Sequence, residues 1–185
     1  MEAVWSPFEV KESHITIGAK KWALNCVGKL DVEMEQKTIT KSCEGVVVKR
    51  KTRGTGAGTG TLSLHIPYDL YIALYGMENS KLATGISGYG KESTHQSFIY
   101  TGVGKDEEGV EVLIAIPVAV VADGPKPSFE NGAEEVAEVE IAFNVSPDEN
   151  GFGIYLVPES ELPQRLTKTT FLENFTSASM LASQG

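Results

Sequence analysis

Three features of this sequence predict a mainly antiparallel β-fold, a sandwich or barrel with one short helix packed on it and long extended loops. Residues 61–66 and 136–145 alternate apolar and polar with the period of a half-buried strand. Two more runs, at 96–104 and 110–122, flank the polar connection KDEEG and predict a hairpin. Only 67–76 carries convincing helix signals.

The elements follow in chain order. HITIG at 14–18 is short and β-branched. WALNCVGKLDVEME at 22–35 alternates, with Leu30, Val32 and Met34 on one face, Asp31, Glu33 and Glu35 on the other, and Gly28 marking a bulge or bend. TITKSCEGVVVKRK at 38–51 continues that pattern. TLSLHI at 61–66 turns Leu62, Leu64 and Ile66 inward. In the helix, Pro67 suits the first position, Asp69 lies near the positive end of the dipole, Leu70 and Leu74 are one turn apart, and Gly76 suits the position after the C-cap. Pro117 cannot donate to a ladder, so its strand has an edge, bulge or break there. Val139, Ile141, Phe143 and Val145 form the apolar side of the clearest strand, and PDENG then turns the chain into FGIYLV at 152–157. The organisation is one domain over 1–158, with the long loop 44–60 within it, and a polar C-terminal arm or tail over 159–185 with a short helix expected around FLENF at 171–175.

Composition excludes some functions. The net charge of −9, from 16 basic and 25 acidic residues, argues against a general nucleic-acid-binding surface. The charge is also unevenly placed: 37–53 holds six cations and one acid, a net of +5, while 105–161 holds fourteen acids and two cations, a net of −12. Such a molecule attracts its own copies head to tail. Cys26 and Cys43 give no disulfide framework and are expected as small hydrophobes within strands. The first ten residues lack the pattern of a signal peptide, and the longest apolar run, 112–122, is too short to span a bilayer and contains Pro117.

KRKTRGTGAGTG, at 49–60, puts Lys49, Arg50, Lys51 and Arg53 before Gly54, Gly56, Gly58 and Gly60. A dinucleotide loop needs glycines at i, i+2 and i+5 between strand and helix; counting from Gly56 gives Thr61 at the third place, and an alternating strand follows. Nor does Gly-Lys-Ser/Thr follow, as a P-loop requires. The stretch is therefore expected to be an extended, mobile linker with a cationic base. His14, His65 and His95 are far apart and lack metal-ligand spacing. Asp106, Glu107 and Glu108 are consecutive and cannot converge as a general acid and base, and Asp148, Glu149 and Asn150 fit a turn better than a calcium loop. No nucleophile motif is present. The sequence predicts no enzyme, catalytic residue, metal or cofactor.

The order of these features resembles the major tail tube protein of long-tailed, non-contractile (siphovirus-type) bacteriophages. The resemblance rests on the ITIGAKKW strand region, the basic Gly-rich loop, GTLSLHIPYDLYIALYG as strand, helix and Gly, the hairpin after it, and EEVAEVEIAFNVSPDENGFGIYLV as a strand pair, and it covers about 14–157. It implies a structural virion protein whose copies join into stacked rings, usually hexameric, forming the tail tube for DNA ejection. Its implied partners are itself, a tape-measure protein, tail-end proteins and phage DNA in transit through the lumen, with no membrane insertion. The implied location is the virion tail, assembled in the host bacterial cytoplasm. Under that reading Lys49, Arg50, Lys51 and Arg53 meet acids on a neighbouring subunit, and Gly54, Gly56, Gly58 and Gly60 supply reach; Asp31, Glu33 and Glu35 are one candidate lumen face. The rival readings are a secretion-system tube or tail-terminator ring protein, a ligand-binding β-sandwich with Trp5 and Trp22 as its only tryptophans, and an enzyme whose site is assembled from scattered residues.

Overall fold

In a computed structural model of the chain, residues 6–44, 46–129, 131–132 and 138–182 are described, those at 46–48 by their backbone alone. Among the described residues, eight strands form one antiparallel sheet: β1 (Pro7–Ile17), β2 (Lys20–Leu24), β3 (Val27–Cys43), β4 (Val46–Leu64), β5 (Ser97–Asp106), β6 (Glu111–Val121), β7 (Val139–Val145) and β8 (Tyr155–Pro158). The order is β2-β1-β5-β6-β7-β4-β3, with β8 on β6. Every strand from β1 to β7 turns apolar side chains onto the same core, among them Ile15, Leu24, Leu30, Leu62, Phe98, Ile116 and Phe143. Such a shared core requires a sheet curled round on itself, as predicted.

The helix α1 (Tyr68–Leu74) buries Leu70, Ile72 and Leu74 in that core. It starts one residue later than predicted, with Pro67 at the cap. Its end matches the expectation: Gly76 has φ +59°, its N–H donates to the Ala73 carbonyl, and the Met77 N–H donates to Ile72. That pair of bonds is a Schellman motif, which needs a left-handed residue after the cap.

Both faces of the β5–β6 hairpin are buried, which explains the unbroken apolar run at 112–122. Pro117 sits where the β5–β6 register shifts, between Tyr100↔Ile116 and Phe98↔Ala119. On its other side it falls between the β8 pairs, which end at Ala115, and the β7 pairs, which begin at Ala119. The missing N–H is thus placed where no ladder needs it.

Several expectations are corrected. The stretch 44–60 is not a loop: it is mostly β4, paired with β3 as far as Cys43↔Val46, so 38–51 is the end of a hairpin and not one strand. Gly58 and Gly60 lie in the ladder opposite Met34 and Val32. A Cβ on Gly60 would lie 2.6 Å from Phe143 Cε2 and 2.8 Å from the Asp31 carbonyl, so the glycines make room for packing. Gly56, with φ +80°, belongs to a bulge between Met34↔Gly58 and Gln36↔Gly54. The predicted strand 22–35 breaks at 25–26 into β2 and β3, although the irregularity at Gly28 is where expected. β8 pairs with β6 and not with β7. The strand predicted from 136 begins at Val139, and 136–137 lie outside the described residues.

The segment 159–182 is not a loose arm. A 3-10 turn at Glu159–Glu161, α2 (Lys168–Glu173) and a 3-10 turn at Ser177–Met180 fold over the outer face of β5, β6 and β8. Phe171, Leu172 and Phe175 bury against Val103, Leu113 and Ala115. The buried Thr101 hydroxyl donates to the Leu172 carbonyl at 2.6 Å.

Candidate assembly surface

The β3–β4 hairpin is partly in the core and partly outside it. Its inner half packs on β7, where Gly58–Leu64 pair with Val145–Val139. Its outer half, from Gln36↔Gly54 to Cys43↔Val46, has no third strand among the described residues. Eight residues of β3 there span roughly 27 Å at about 3.4 Å per residue. Each side chain described on this outer half is exposed.

Register decides what the outer half presents. Lys37 lies opposite Arg53, Ile39 opposite Lys51, and Lys41 opposite Lys49. Directly opposite residues share a face, as do residues two apart along a strand. One face therefore carries five cations around Ile39, which is itself 46% exposed. The other face carries Thr38, Thr52, Thr40 and Arg50, with the Thr38 and Thr52 hydroxyls 2.9 Å apart. None of the six cations has an ion-pair partner among the described residues. Of the predicted contact residues, Lys49, Lys51 and Arg53 converge, Arg50 points to the other face, and Gly54, Gly56, Gly58 and Gly60 build the strand.

Nearer the body, the outward face changes sign. Three rows cross β3, β4 and β7: Lys29, Ser63 and Glu140; Asp31, Thr61 and Ala142; Glu33, Thr59 and Asn144. Asp31, Glu33 and Glu35 are exposed, as is Glu140. Lys29 is committed to Asp31 at 2.5 Å. The result is a shallow, net acidic face with a central column of hydroxyl side chains.

The other candidates resolve into structural roles. Asp148 accepts from the Asn150 N–H at 2.9 Å, the Phe152 N–H at 3.0 Å and the Tyr155 hydroxyl at 2.6 Å. Burial pushes its carboxyl up, but the bonds from Ser177, Tyr155 and the backbone outweigh this and hold it at about 2. Asp106 accepts from the Val110 N–H at 2.7 Å and closes the β5–β6 turn. His95 bridges the Tyr89 hydroxyl and the Val121 carbonyl, while His14 Nδ1 lies 3.1 Å from the Glu12 carbonyl. No group of three His, Cys, Asp or Glu among the described residues could hold a metal ion. Cys26 and Cys43 are exposed, contrary to expectation. Trp22 donates to Asp69 at 2.7 Å, and Trp5 lies outside the described residues. No described helix is long and apolar enough to cross a membrane.

No family model matches the chain. No curated protein sequence matches it. Among solved structures it is similar to an anti-feeding prophage cap described as a tube-terminating cap (15% identity, 84% of this chain and 94% of that chain, TM-score 0.39). It is also similar to chains in two assemblies of an extracellular contractile injection system. One is the PVC sheath-tube complex (14%, 82% and 92%, TM-score 0.44), the other the PVC sheath/tube terminator (16%, 83% and 99%, TM-score 0.42). None of the three is described as a siphovirus tail tube protein. Likeness at these scores assigns no function.

Proposed function

We propose that this chain is a structural subunit of a phage-type tail tube, whose copies associate head to tail in stacked rings. The observation that carries the reading is the five-cation face on the projecting hairpin. Two strands alone are marginal in water, and like charges placed opposite each other weaken them further. A hairpin built in this way gains order by docking on an anionic surface, and the remainder of the same chain is strongly acidic. The outward acidic face suits the wall of a lumen: it offers passing DNA no cations for its phosphates. The open outer edge of β3 suits strand-to-strand joining of neighbours.

The test is negative-stain electron microscopy of the purified protein at rising concentration, beside a variant with Lys37, Lys41, Lys49, Lys51 and Arg53 each changed to Glu. Stacked rings or hollow tubes are expected from the native chain and not from the variant. Single closed rings that never stack identify a tube terminator instead. Monodisperse monomer at all concentrations, or tubes of normal length from the variant, overturns the reading.

A further inference from the structure

We propose that the cationic tip of the hairpin seats in the groove between α1 and the start of β7 on the next copy. This inference rests on the self-assembly reading above and adds the surface that receives the hairpin.

The groove encloses about 440 Å³ and is walled by Tyr68, Tyr71, Tyr75 and Phe129, with Glu138 and Glu140 at its side. Tyr68 and Phe129 are 73% and 95% exposed, large apolar areas to leave uncovered. Lys126 also lines the groove, but it is paired with Asp123 at 2.5 Å. Glu138 and Glu140 have no ion-pair partner among the described residues. Lys29 and Lys126 feel the Glu140 charge without closing an ion pair on it. Aromatic rings beside carboxylates that lack a contact ion pair suit one kind of guest. Lysine and arginine can lay aliphatic stems along the rings, place their charge over a ring face, and reach a carboxylate with the head group. The tip offers five such side chains and one exposed Ile39.

Topology points to an intermolecular contact. The tip is the Val46 end of β4; the groove lies at the Leu64 end, where Leu64 pairs with Val139 and the chain enters α1. Tip and groove thus lie at opposite ends of β4, about 60 Å apart along the strand at the usual rise, which favours a groove on another copy. A donor at one end and an acceptor at the other form a heterologous contact, which propagates as a stack.

Cys43, exposed beside the tip, supplies the probe. In a Cys26→Ser background, Tyr68→Cys places a second thiol in the groove. After assembly and mild oxidation, non-reducing electrophoresis should show a ladder of dimers and higher multimers. Adding Glu138→Lys with Glu140→Lys should remove the ladder, and changing Lys49 and Lys51 to Glu as well should restore at least a tenth of it. Sedimentation of the same samples separates the two ideas. Assemblies that form without a ladder overturn the groove and leave self-assembly standing. No assemblies from the native chain overturn both. A ladder that survives the Glu138→Lys, Glu140→Lys change overturns the charge pairing.

Discussion

Lys41 lies directly across the β3–β4 ladder from Lys49, at the outer end of a hairpin that no third strand joins among the described residues. In an isolated subunit, that pairing weakens the hairpin. Lys41→Glu replaces it with an opposite-charge pair. The hairpin should then become more ordered in the monomer while assembly falls. Amide exchange over 36–54 should slow, and the concentration for half-maximal assembly should rise about tenfold, as for loss of one well-placed charge contact. Slower exchange with unchanged assembly would mean that the cations serve no contact.

Gly60→Ala should destabilise the subunit by about 1–3 kcal/mol, the usual cost of overpacking a core. The added methyl meets the Phe143 ring and the Asp31 carbonyl, and the latter is backbone that cannot rotate away. Gly54→Ala, whose nearest neighbour would be the Glu35 carbonyl at 4.0 Å, should be close to neutral. Thermal unfolding of both variants checks this. Equal melting temperatures would show that Gly60 gives flexibility and not room.

This pair of glycines marks where the sequence was readable and where it was not. Strands ending in branched or aromatic residues, such as Val139–Val145, announce themselves because their period-two pattern is written in large apolar side chains. The same period is present at 54–60 in Gly alternating with Thr and Ala57, but glycine is a weak strand former, so the pattern looks like a linker until Phe143 is seen over it. In the C-terminal cap the helix around FLENF is legible, but its packing on the sheet is not, for a related reason. Phe171, Leu172 and Phe175 lie among polar residues, and their burial depends on the outer face of a hairpin far away in sequence. Lys49, Lys51 and Arg53 could be singled out from charge alone. That Lys37 and Lys41 join them, and that Arg50 does not, follows from register, which the sequence does not print.

The cap is pinned at its centre. Thr101→Val keeps the shape but leaves the Leu172 carbonyl without its buried donor, at a cost of about 1–3 kcal/mol. Phe171→Ala empties a fully buried site and should cost about 3–5 kcal/mol. In both variants limited proteolysis should cut within 159–182 well before the sheet. Resistance equal to the native chain would mean the cap is held elsewhere.

A charged latch holds the start of the cap, and it sets a pH dependence. Lys11 donates to Glu111 at 2.6 Å, and Lys168, from the cap, donates to the other Glu111 oxygen at 2.8 Å. Lys168 also reaches Glu12 at 3.2 Å and lies 3.8 Å from Glu159. The Lys11 hydrogen bond, and then that of Lys168, hold the Glu111 carboxyl down at about 2. A carboxyl depressed by folding contributes stability above its unfolded pKa of about 4.3 and loses it as pH falls through the folded value. Glu159 is raised, first by its hydrogen bond with Glu111 and then by burial, so protonating it on acidification favours the fold and offsets part of that loss. Lys11 is raised, chiefly by Glu111, so its contribution holds below about 10.4 and fails only as pH climbs above that. For Lys168, burial acts downward and the Glu111 and Glu12 hydrogen bonds outweigh it, with the same alkaline window. Between about pH 5 and pH 2, then, Glu111 dominates, and proteolysis within 159–182 should accelerate on acidification before the sheet unfolds. Glu111→Gln should loosen the cap already at neutral pH, by about 1–3 kcal/mol for the charged hydrogen bonds lost, and flatten the acid response. A native cap equally protected at pH 6 and pH 3 would show that the latch contributes nothing to it.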